Sequence, residues 1–173
     1  AGIVDNSSAN LTLYGSNVIA DGATHMIDEN DEEIFFSDFA GINLPAGNSL
    51  TINGNGSLLS LGQDNCAGIG GNAELADAGD ITINGGTVFA FSAGDGAGIG
   101  GGYKGKAGKI TINNGTVYAN CLHDDSPGIG TGEDGDGGSV TINGGIVTTL
   151  SYDDAGAGIG SGDTGHIDSI TIN

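Results

Sequence analysis

Arginine is absent from this chain, and lysine occurs only three times, at Lys104, Lys106 and Lys109. Set against 22 acidic residues, this leaves a formal charge of −19. Binding to nucleic acid or insertion at an anionic membrane depends on Lys and Arg, so neither is an expected partner. Such acidity suits divalent cations, and it also suits a high-salt habitat. Proline occurs twice, too rarely for a Pro/Gly-rich disordered tract. The two cysteines, Cys66 and Cys121, are too few for a disulfide framework, and no bridge between them is expected. No apolar run is long enough to span a bilayer. No signal peptide is visible. The chain starts at Ala1 without Met and stops at Asn173 in mid-repeat, so both ends read as cut.

Glycine, in contrast, fills 36 positions, and apolar residues recur among the glycines at fixed intervals. Asp80-Ile-Thr-Ile-Asn-Gly-Gly-Thr-Val-Phe-Ala90 is followed by Lys109-Ile-Thr-Ile-Asn-Asn-Gly-Thr-Val-Tyr-Ala119 and by Ser139-Val-Thr-Ile-Asn-Gly-Gly-Ile-Val-Thr-Thr149. A further copy begins at Ser169, and earlier ones lie at Ser49–Gly54 and Asn10–Gly15. The Thr of this motif falls at 12, 51, 82, 111, 141 and 171. A second signature keeps the same beat, in Ala67-Gly-Ile-Gly70, Ala97-Gly-Ile-Gly100, Pro127-Gly-Ile-Gly130 and Ala157-Gly-Ile-Gly160, with Ala40-Gly-Ile42 as a degenerate first copy.

A repeat of about thirty residues means stacked structural units. Each unit reads as three short strands. Ile-Thr-Ile alternates with the period of two of a half-buried strand, an Asn-Gly corner takes positive φ readily, and Thr-Val-Phe-Ala and Gly-Ile-Gly complete the coil. None of these strands buries its apolar face alone, but coils stacked at about 4.8 Å pair every backbone and align the isoleucines in files. A helix is excluded, because Gly at this density costs about 1 kcal/mol per interior site. The expected fold is all-β, a right-handed parallel β-helix. Residues 1–49 are expected to form an N-terminal cap with a first irregular coil, and residues 50–173 the regular coils of the same domain. Phe35, Phe36 and Phe39 are the candidates to cover the open end of the stack.

In such a stack a repeated residue becomes a column. Asn53, Asn84, Asn113, Asn143 and Asn173 are expected to form an amide ladder at one corner. The Thr column points outward, and an ice-binding array is a minor alternative to ordinary strand propensity for it. Phe89 and Tyr118 point outward from the second strand, with Thr148 on one side and Leu59 and Ile19 on the other. Together with Thr82 and Thr111 they are the candidate carbohydrate-binding residues. A carboxylate column runs through Asp64, Asp95, Asp124, Asp125, Asp153 and Asp154, with Asp134 and Asp136 in loops taken to lie opposite. Carboxylates stacked about 5 Å apart repel by several kcal/mol at a protein-like dielectric. A hard cation with oxygen ligands relieves this, so Ca2+ is the expected cofactor; splayed, solvated Asp in turns is the plainer alternative.

Catalysis is not expected. The lysines lie in a Gly-rich loop, no coil carries a singular acidic cluster, and His25, His123 and His166 fall in different phases of the repeat.

The pattern Gly-x-Gly-Ile…Ile-Thr-Ile-Asn-Gly-Gly-Thr-Val, over roughly residues 50–173, resembles a family of secreted bacterial, largely clostridial, pectate-lyase-like β-helix proteins. The resemblance implies calcium binding and adhesion to acidic plant polysaccharide without cleavage. Where family members carry Asp just before the Gly-Ile strand, this chain has Ala67, Ala97, Pro127 and Ala157. The Ala-Gly-Ile-Gly-Gly repeats also look like those of large bacterial surface proteins that act as stalks. The expected function is a secreted, cell-surface, polysaccharide-binding module stabilised by calcium. The alternative is a stalk or a self-assembling subunit stacking end to end on another copy of itself.

Overall fold

Ile81-Thr-Ile83 sets two β-branched apolar residues on one side of an extended chain and a hydroxyl on the other, and the coil closes by putting the isoleucines inside. The structure is a computed structural model and describes residues 3–4, 7–20, 26–27, 33–34, 39–72, 76–122, 125–152 and 156–173. Among them there is no helix; the chain is a parallel β-helix with three parallel sheets.

Sheet 1 holds the Thr-bearing strands Ser8–Leu13, Ser49–Gly54, Asp80–Ile83, Lys109–Ile112, Ser139–Ile142 and Ser169–Ile172. Sheet 2 holds Ser16–Ala20, Ser57–Gly62, Thr87–Ser92, Thr116–Cys121 and Ile146–Leu150. Sheet 3 holds two-residue strands, Ile3–Val4, Ile42–Asn43, Ile69–Gly70, Ile99–Gly100, Ile129–Gly130 and Ile159–Gly160. Met26–Ile27 and Glu33–Ile34 form a separate antiparallel pair.

The registers place each repeat over the last. Ile83 pairs with Ile112, and Ile112 with Ile142. Thr51, Thr82, Thr111, Thr141 and Thr171 form one file. Ile81, Ile83, Ile99, Ile110, Ile112 and Ile129 have no accessible surface and fill the bore of the helix. The file opens toward the last coil, from 0% exposed at Ile112 through 8% at Ile142 to 66% at Ile172.

Two registers of the first coil differ from the sequence pattern. Thr12 lies beside Asn53, and it is Asn10 that lies beside Thr51, so Thr12 stands at the foot of the Asn file instead of in the Thr file. Val18 pairs with Leu59, and Ile19 with Ser60, so Val18 is the residue that points outward there and Ile19 packs against the core. A slip of one residue exchanges the two faces of a strand, and adjacent Val and Ile suit either face. Asn17 stabilises the observed register by donating its amide to the backbone oxygens of Tyr14 (3.3 Å) and Ser57 (2.9 Å). Ile42 extends the Gly-Ile file as expected, and Ile3 adds a copy the repeat did not reveal. Phe35 and Phe36 lie outside the described residues, and Phe39 is exposed.

The glycines of the Gly-Ile-Gly strands mark close contacts between successive coils. Gly100 has φ +136°, and a Cβ there would lie 1.9 Å from the carbonyl oxygen of Gly130. The N–H of Ala97 donates to the oxygen of Gly101 (2.9 Å), so the chain turns tightly around Ile99. Only a residue without a side chain lets successive coils approach this closely.

Candidate binding face

Sheet 2 alternates strictly. In Thr87–Ser92, Val88 and Ala90 are buried while Thr87, Phe89 and Phe91 face out. Stacking extends these outward positions into columns. One runs Val18, Leu59, Phe89, Tyr118, Thr148; a second carries Leu61, Phe91, Asn120 and Leu150; a third carries Ser16, Ser57, Thr87, Thr116 and Ile146. None of these residues is charged, in a chain whose formal charge is −19. Val18, Ile146 and Leu150 are among the most exposed large apolar side chains described. Sheet 1 is different: its outward columns are Thr, Asn and a mixed file of Ser49, Asp80, Lys109, Ser139 and Ser169.

Phe89 and Tyr118 stack face to face, with ring centroids 4.9 Å apart and planes 5° from parallel. Phe91 leans against Phe89 at 6.4 Å and 54°. Next to Phe89, on the side away from Tyr118, the smaller Leu59 and Val18 leave an open groove of about 470 Å³, with Phe89 and Phe91 as its wall and Ser16 and Ser57 at its rim. Phe91 escaped the sequence reading although it shares the parity of Phe89 two residues on. Thr82 and Thr111 point outward on sheet 1, across the Asn84–Gly86 corner and the equivalent one above it, so the structure does not gather them with Phe89 and Tyr118.

The acidic residues lie elsewhere. Asp95 and Asp125 occupy equivalent places, each accepting at its backbone oxygen from the loop after the Gly-Ile-Gly strand: Glu133 donates to Asp95 (3.1 Å) and Asp163 to Asp125 (2.8 Å). The loops bearing Asp134 and Asp136 therefore adjoin the Asp95 edge instead of lying opposite it. Asp134 takes a left-handed backbone, φ 56°, and accepts at its carboxylate from the Thr164 hydroxyl. Asp64 also has positive φ. Asp124, Asp153 and Asp154 lie outside the described residues, as do His25 and His123. Among the described residues, no three of His, Cys, Asp and Glu come together to hold a metal ion. Several carboxylates instead tie coils together: Asp80 accepts from the Lys109 N–H (3.0 Å), Asp77 from that of Lys106 (2.9 Å) and Asp168 from that of Gly138 (3.0 Å). Cys66 and Cys121 are buried and not bridged.

A protein-family profile described as a beta helix repeat matches the chain three times, at residues 81–103, 110–133 and 140–163. Each match begins on a sheet 1 strand and runs past the Gly-Ile-Gly strand, which is one coil of the observed stack. No curated protein and no solved structure matches. The class is thus a parallel β-helix repeat protein.

Proposed function

We propose that the chain is a non-catalytic, extracellular polysaccharide-binding module and that the outward side of sheet 2 is its binding face. The observation that carries this reading is the segregation of charge: a surface of aromatic, aliphatic, hydroxyl and amide side chains, none of them charged, on a strongly acidic chain. Exposed apolar patches of this kind mark interaction sites, and aromatic side chains supply contact area at low entropic cost. The role of described carboxylates as acceptors for backbone N–H groups of adjacent coils supports a structural part for them over acid–base work. Calcium enters this reading as a stabiliser of the loop edge, where Asp124, Asp153 and Asp154 would have to complete what Asp95 and Asp125 begin.

Retention in affinity electrophoresis through gels containing plant and bacterial polysaccharides tests the proposal. Retention on at least one of them, reduced in Tyr118→Ala and without release of reducing ends, is expected. Free migration through every gel overturns it.

A further inference from the structure

The binding face holds a concavity lined by described residues, and its walls restrict what enters it. On one side Phe89 is covered by Tyr118, so that ring face is spent within the protein. Its other side lines the groove above Leu59 and Val18. A planar, partly apolar ligand laid against Phe89 would rest on these two aliphatic side chains and keep its polar edge toward Ser16, Ser57 and water. At about 470 Å³ the groove falls within the range of about 300–1,000 Å³ typical of small-ligand sites.

Three occupants compete for it, and two are poorly matched. A second copy of the chain brings its own charge of −19. An acidic sugar chain meets the same field, and the face offers no Lys or Arg to receive a carboxylate. An uncharged sugar chain carries no such penalty, is narrow enough for the face, and has C–H surfaces that pack on an aromatic ring.

Resting on the polysaccharide-binding reading above, we infer that the groove beside Phe89 takes uncharged sugar rings, not the acidic ones that the family resemblance implies. The test is titration calorimetry with a panel of uncharged hexasaccharides (β-linked glucose, xylose, mannose and galactose) and with a galacturonic acid hexasaccharide, with and without calcium. Binding of at least one uncharged probe is expected, weakened about tenfold or more in Phe89→Ala. Val18→Glu, at a position 68% exposed, puts a charge on the groove floor without touching the aromatic stack and should weaken binding similarly, with thermal unfolding unchanged. Thr141→Ala, on the other sheet, should bind as the parent does. Binding of the acidic probe alone overturns the inference and leaves the polysaccharide-binding function standing. No binding by any probe overturns both. Uncharged binding that is indifferent to Phe89→Ala and Val18→Glu overturns the groove assignment, as does a dimer in sedimentation that Val18→Glu dissociates.

Discussion

The side-chain amide of Asn113 donates to the Oδ1 of Asn84 at 2.8 Å, one coil away, and the Oδ1 of Asn113 accepts from Asn143 at 2.7 Å. Asn84 continues the chain to Asn53, and Asn173 donates to Asn143. Each interior member makes two such bonds and the terminal ones make one.

Asn113→Ala removes both bonds from an exposed site where water takes part of their place. The expected loss is about 1 kcal/mol, and less for Asn53→Ala, where Thr12 ends the ladder and one such bond is lost, read from urea unfolding midpoints. Equal effects at the two positions would mean that the ladder does not stabilise the stack.

Gly100→Ala should be far more damaging. The new methyl carbon meets the Gly130 oxygen in a backbone conformation that L-residues avoid, and a loss of about 3 kcal/mol or more is expected. Gly47→Ala is the control: φ is also positive, at +84°, but no atom lies within 4 Å of the added carbon. About 1 kcal/mol is expected there. Similar losses at both sites would assign the effect to φ strain and not to coil approach.

If calcium stabilises the loop edge with the dissociation constants of about 0.1–1 mM common in extracellular modules, 10 mM calcium adds roughly 1.4 to 2.7 kcal/mol. Thermal unfolding with calcium and with a chelator measures this, and Asp125→Asn should shrink the difference. Identical curves with calcium and chelator would remove calcium from the proposal.

Much of the fold was legible because the repeat is a mechanical constraint. A residue thirty positions on must lie one coil above, so the Ile, Thr and Asn files followed from spacing alone. The first coil resisted this, since Val18 and Ile19 are both apolar and only the pairing with Leu59 and Ser60 decides which faces inward. The candidate site was half legible. Phe89 and Tyr118 stood out as lone aromatics in a column, whereas the absence of charge from the face emerged only once three separate columns were laid side by side. Thr82 and Thr111 lie on sheet 1, across the Asn-Gly corner from Phe89 and Tyr118 on sheet 2.

The hydrogen bonds that join coil to coil, such as that from the Ile99 N–H to the Gly128 oxygen at 3.0 Å, run along the length of the molecule. A pull applied at the two ends therefore loads them one layer at a time, as a zip is opened, instead of shearing them all together. Stretched by an atomic force cantilever, the regular part should yield in a train of small, even steps, each freeing about thirty residues or about 100 Å of chain.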